Sequence, residues 1–174
     1  MTLALEMPDA WRRLLGLDTG DAAARARAGG TRLAAGDGTS RLCVLDAEKF
    51  TLVWQKEGAI AAAPLTVPGA LAVAMGDQIH LCHPDTGADL AVLAGHTAQV
   101  QHLALHPDGR TLASASADRT IRLWHLPTRR ELGILHTSTG DPFSALAFTP
   151  DGRQLIAARS DGPATVFDTA PPLK

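Results

Sequence analysis

Tyrosine is missing altogether from this chain of 174 residues, and tryptophan and phenylalanine bring the aromatic share to only 4%. Any core must therefore be filled by aliphatic side chains, and an apolar content of 45% over this length is enough to build one. Cysteine is nearly absent. Cys43 and Cys82 are the only two, too few for a disulfide framework, and they read as buried free thiols in a reducing compartment. Charge of one sign is not in excess: the net charge of −2 gives no electrostatic case for nucleic acid or an anionic membrane. Long apolar runs are also lacking, none approaching the ~18 residues of a membrane span. The opening "MTLALEMPDAWRR" has no basic leader and carries Glu6 in its short apolar stretch, which argues against a secretory signal. Together these absences point to a cytoplasmic chain.

What is present is a repeat. In "LALHPDGRTLASASADRTIRLWHL", residues 103–126, three short apolar runs are separated by two turns. Pro107-Asp108-Gly109 makes the first, because Pro presets one dihedral and Gly tolerates a positive one. The stretch aligns without a gap on "LAFTPDGRQLIAARSDGPATVFDT" at an offset of 43 residues, so that Leu103 meets Leu146, Asp118 meets Asp161 and Trp124 meets Phe167. Upstream, Ile79-His80-Leu81-Cys82-His83 falls on Ile121-Arg122-Leu123-Trp124-His125 at an offset of 42, and "GGTRLAAGDGTSRLCVLDAEKFTLV" is a fourth, degraded copy. A period near 40 with four strands per unit predicts an all-β array of blades. The copies fall roughly at residues 21–53, 54–93, 94–136 and 137–170, flanked by residues 1–20 and a tail at 171–174.

Gly95-His96, Ser114, Asp118 and Trp124 resemble the WD40 repeat. The third copy closes on Trp124-His125 where the family usually has Trp-Asp, while Leu45-Asp46 in the first keeps the Asp. The resemblance implies β-propeller blades, each a four-stranded antiparallel sheet, and a buried hydrogen-bonded chain through His96, Ser114, Asp118 and Trp124. Such a chain has a physical reason: a buried Asp must be paired, and His and Ser provide the partners. The other copies depart from the set. Thr139, Ala157 and Phe167 stand at the His, Ser and Trp positions of the fourth, and Val73 and Cys82 at the Ser and Trp positions of the second. By resemblance, the function implied is a non-catalytic protein–protein interaction scaffold, similar to bacterial arrays attached to signalling kinases or ATPases.

Both ends fall inside a blade. Residues 2–17 align on Thr120–Leu135 at an offset of 118, as the last two strands of a blade, although Leu3, Trp11, Leu14, Leu15 and Leu17 also fit one stripe of a helix. The fourth copy stops after its third run at Phe167. Residues 12–17 could supply the missing strand and close a four-blade ring. The chain could instead be a fragment of a propeller of roughly 300 residues, or a half-ring that pairs with a second copy or another chain. An incomplete propeller of about four blades is the reading favoured.

Chemistry-bearing residues point away from catalysis. His80, Cys82 and His83 lie close in sequence, but a strand sends His83 to the face opposite the other two, so no metal site is expected. His102 and His106 share a face, with His106 exposed at a turn, and His136 belongs to a loop. Ser114, His96 and Asp118 are the residue types of a hydrolase triad, and a propeller-type hydrolase or metal-dependent fragment is the rival reading. No G-x-S-x-G or phosphate-cradling loop accompanies them, and no cofactor is implied. Binding remains. Loops at one end of rigid blades can vary without disturbing the strands, and the candidate contacts for a protein or peptide are Gln55, Gln78, Thr97, Gln99, Arg119, Asp141 and Ser160. The opposite face, with its Pro-Asp-Gly turns and "PTRRE", is a secondary possibility, and its arginines read as a solvated edge.

Overall fold

The computed structural model describes residues 27–29, 32–36, 41–46, 52–64, 70–136, 142–159 and 162–169. The expectations for residues 1–20 and 171–174, and for Thr139, Asp141 and Ser160, lie outside the described residues. All regular structure described is strand, in four antiparallel sheets. The first contains β1 (Arg27–Gly29), β2 (Arg32–Gly36), β3 (Arg41–Asp46) and β4 (Leu52–Glu57). The second contains β5 (Ala59–Pro64), β6 (Leu71–Met75), β7 (Gln78–Cys82) and β8 (Asp89–Ala94), and the third β9 (Val100–Leu105), β10 (Thr111–Ser116), β11 (Thr120–His125) and β12 (Arg130–His136). The fourth has three strands, β13 (Phe143–Phe148), β14 (Gln154–Arg159) and β15 (Thr165–Asp168). Within each sheet the strands lie in sequence order, because only a few residues separate each strand from the next. The sequence boundary between residues 53 and 54 falls inside β4, since the chain does not turn until Gly58, at a φ of 79°. His136 is the last residue of β12, paired with Thr120, and not part of a loop.

The third and fourth sheets show how the repeat encodes its turns. The Asp108 carboxylate accepts the backbone N–H groups of Arg110 (2.7 Å) and Thr111 (3.0 Å), while Gly109 takes a φ of 69°. One period on, Asp151 accepts the N–H of Arg153 and Gly152 takes a φ of 72°. An Asx turn closed by a left-handed glycine is what Pro-Asp-Gly encodes. Register breaks recur as well. The outer strand slips by a residue beside Leu45, Cys82 and Trp124, three equivalent positions, and such bulges add local twist.

Burial alternates poorly along the inner strands of the second and third sheets because each lies between two neighbouring sheets. Leu103 and Ala104 are consecutive and both buried. Small side chains on one sheet receive large ones from the next: Ala72, Ala74 and Ile79 pack with Leu103, Leu112 and Trp124, and Ala104 and Ala113 with Phe143, Leu146 and Leu155. Leu42 and Val44 meet Ala59, Leu71 and Val73 in the same way. Extensive contacts run from the first sheet to the second, from the second to the third and from the third to the fourth.

Candidate functional site

The third sheet brings His96, Ser114, Asp118 and Trp124 into one chain of hydrogen bonds. Ser114 sits in mid-β10, fully buried, where the strand's small residues leave room for neighbouring rings. Trp124 Nε1–H donates to Ser114 Oγ at 2.8 Å, and Ser114 Oγ lies 2.7 Å from His96 Nε2. His96 Nδ1 is 2.8 Å from Asp118 Oδ2. The donors settle the directions. The Asp118 carboxylate can only accept, so His96 carries its proton on Nδ1; the Nε2 of the neutral ring then accepts the Ser114 hydroxyl proton, while Ser114 Oγ accepts from Trp124. Asp118 also accepts the backbone N–H of Thr97 and both the N–H and hydroxyl of Thr120. The His96 and Asp118 side chains are 1% and 6% exposed.

Burial by itself would raise the Asp118 carboxyl pKa, but the donors from Thr120, His96 and Thr97 outweigh it and hold the group at about 2. Burial dominates at His96. It pushes the imidazole below its ordinary value, against the opposing pull of Asp118, so the ring is neutral at pH 7. Gly95 precedes it for a steric reason: a Cβ there would stand 2.9 Å from the Arg122 guanidinium and 3.2 Å from the Trp124 ring.

Ser, His and Asp are thus connected as a hydrolase triad connects them, yet the arrangement cannot attack a substrate. A nucleophile needs its oxygen open to an acyl carbon. Ser114 Oγ is buried, and Trp124 Nε1–H occupies its acceptor side. Metal binding finds no better support: among the described residues no group of three or more His, Cys, Asp or Glu side chains is placed to hold an ion. His80 and Cys82 instead lie near Asp89, where Lys56 of the neighbouring sheet forms an ion pair. Burial pushes the Cys82 thiol up to about 11, and neither cysteine is in a disulfide.

The network holds loops. Thr97 and Gln99 lie between β8 and β9, and Arg119 lies in the β10–β11 turn with a φ of 69°. The Ala117 N–H bonds to Gln99 O (2.8 Å), Ser116 Oγ donates to Ala98 O (2.7 Å), and the Val100 N–H bonds to Gly76 O (2.7 Å). That last bond adds the β6–β7 turn, beside which Gln78 pairs with Met75. Gln78, Thr97, Gln99 and Arg119 therefore share one end of the second and third sheets. Gln55 does not stand with them in a loop. It lies within β4, opposite Cys43, because that strand continues to Glu57.

Some structural residues carry no motif. Trp54 Nε1–H crosses from β4 to donate to Pro84 O at 2.7 Å, and its ring lies against Gly87. His106 is partly buried rather than simply exposed at its turn: Nδ1 accepts the Asp108 N–H, and Nε2 lies 2.8 Å from Gly152 O in the next sheet, edge-on to Phe148.

A profile of the WD domain, G-beta repeat, matches residues 87–125. An uncharacterized WD repeat-containing protein of Synechocystis is 37% identical over 87 residues, which is 49% of this chain and 25% of the relative. The periodic tryptophan protein 2 homolog of Schizosaccharomyces pombe is 35% identical over 91 residues, covering 52% of this chain and 10% of its own. Coronin-7 of Rattus norvegicus is 42% identical over 78 residues, 44% of this chain and 8% of its own. The chain thus spans a quarter or less of the length of these relatives.

Proposed function

We propose that this chain, a WD40-repeat protein, is a non-catalytic interaction module that presents the loop end of its sheets to a protein or peptide. The observation that carries this reading is the bonding of three loops into one platform. The β6–β7 turn, the β8–β9 loop and the β10–β11 turn are tied by backbone and hydroxyl bonds, with the carboxylate of Asp118 beneath them. Rigid loops lose little conformational entropy on binding, and such preorganisation raises affinity. Gln99 and Arg119 are exposed there, and Arg is favoured at binding hot spots. WD40 domains generally mediate protein–protein contacts, and relatives with names as different as ribosome biogenesis protein erb1 and Coronin-7 favour a scaffold over any one chemistry. We extend the reading to an incomplete propeller working in a larger assembly, in a reducing, cytoplasmic setting that keeps both cysteines out of disulfides.

Panning a displayed peptide library against the purified chain tests the platform. Selected peptides are expected to bind the double variant Gln99→Ala, Arg119→Ala at least tenfold more weakly, with the melting curve unchanged. Peptides that bind wild type and variant equally would place recognition elsewhere.

A further inference from the structure

The end of the third sheet opposite the bonded loops gathers arginine in one corner. Arg110 follows the β9–β10 turn, Arg129 lies in the β11–β12 turn and Arg130 opens β12, and all three are exposed. The backbone holds the two turns side by side. The Leu126 N–H bonds to Arg110 O (2.8 Å), and the Arg129 N–H bonds to Leu126 O (3.2 Å). Arg130 pairs with His125, and His125 with Thr111 next to Arg110. Arg153 repeats Arg110 one period on, and the bond of His106 to Gly152 O sets its turn beside the first.

Acids stand nearby, but the turns engage them. Asp108 accepts the N–H groups of Arg110 and Thr111 and the Thr111 hydroxyl. Asp151 accepts the Arg153 N–H and the Thr149 hydroxyl, and Glu131 is paired with Arg122. Among the described residues none of these four arginine side chains, Arg110, Arg129, Arg130 and Arg153, forms an ion pair or a hydrogen bond. Arg153 acts on Asp151 only as a charge at longer range.

Arg129 is also strained. Its φ of 56° is left-handed, and the second copy has Gly87 at the same position with a φ of 69°. Glycine adopts this conformation freely, whereas a side chain there is penalised, and no bond of the guanidinium offsets the penalty. Backbone strain of this kind collects where a residue serves binding. Nor does the exposure depend on where the sequence stops. The third sheet lies between the second and the fourth, so neighbours on both sides leave this end open.

We infer that this corner binds an acidic segment of a partner protein, with Arg110, Arg129 and Arg130 each taking a carboxylate. A guanidinium fork matches a carboxylate bidentately, and these arginines break no existing ion pair to do so. The charge pattern favours discrete carboxylates over a continuous polyanion. The whole chain is net −2, and Asp108 and Asp151 stand among the arginines, so a phosphate backbone drawn across the corner would meet both acids. A short acidic run sets its carboxylates on the arginines and leaves the aspartates to water. The inference does not rest on the loop platform, which lies at the other end of the sheets.

Fluorescence polarisation of a labelled octaglutamate peptide, titrated with the full chain at low salt, tests this. Octaglutamate is expected to bind, more weakly as salt is added, and octaglutamine is not. Arg129→Gly should weaken binding about threefold, the size of one exposed ion pair, while melting no lower than wild type because glycine suits the turn. The triple variant Arg110→Gln, Arg129→Gly, Arg130→Gln should weaken it roughly tenfold or more, with the circular dichroism unchanged. A wild type that ignores octaglutamate overturns the inference, as does a triple variant that binds it equally well. So does an oligothymidylate of equal length that binds more tightly than octaglutamate and weakens with the same variants, because the corner would then be a nucleic-acid site.

Discussion

Asp118→Ala is expected to be among the most destabilising single substitutions in the chain, costing about 3–5 kcal/mol, as does removing one partner from a buried charged network. The carboxylate accepts from His96, from the Thr97 N–H and twice from Thr120. Alanine strands all of these donors at once, two of them backbone groups. Asp118→Asn keeps one acceptor oxygen and should cost less. Urea unfolding of the three proteins at pH 7 checks the order. Acid should reproduce part of the loss without mutation. The neutral His96 of the folded state has its pKa below 6.5, so as pH falls through 6.5 the unfolded chain takes up a proton that the folded chain refuses, and stability begins to decline. The Asp118 contribution is present above the ordinary carboxyl value of 3.8 and is lost between there and about 2. In His96→Gln the first decline should disappear while the second remains.

Gly152→Ala carries the second largest expected effect. Its φ of 72° is left-handed, and a Cβ would stand 2.5 Å from His106 Nε2. The left-handed conformation alone costs an alanine roughly 1–2 kcal/mol. Displacing the imidazole also breaks its bond to Gly152 O, worth about 1 kcal/mol, for a total of about 2–3 kcal/mol. A double-mutant cycle separates the two parts. In a His106→Ala background the ring is gone, and Gly152→Ala should then cost only the backbone strain. Equal costs in both backgrounds would show that His106 does not join the third and fourth sheets.

These two residues mark how far the sequence could be read. Asp118 was legible because Gly95-His96, Ser114, Asp118 and Trp124 of the third copy together resemble the WD40 repeat, and that resemblance implies a buried network. His106 was not, because its partner is a carbonyl 46 residues away, and a backbone oxygen leaves no mark in a sequence. The same limit hid Trp54, whose indole bonds to the carbonyl of Pro84. The degraded first copy shows a different failure. Without a Gly-His to fix its register, Gln55 was placed in a loop, whereas the strand runs on to Glu57 and only Gly58 can make the left-handed turn. Sheet number and order were legible from the period. Coverage of the outer faces was not, because Val166 in the fourth copy and Leu123 in the third are equally apolar and only a neighbouring sheet distinguishes them.

The account turns on His96 as a neutral, buried strut beneath the bonded loops, and nitrogen-15 NMR of the imidazole at pH 7 tests this most directly. The predicted spectrum is that of the Nδ1–H tautomer, with an unprotonated Nε2 accepting from Ser114 and an Nδ1 proton that exchanges slowly with water. A ring protonated on both nitrogens, or an Nε2–H in fast exchange with solvent, would mean that Ser114 and His96 are open to water, and would contradict the structural role assigned to them.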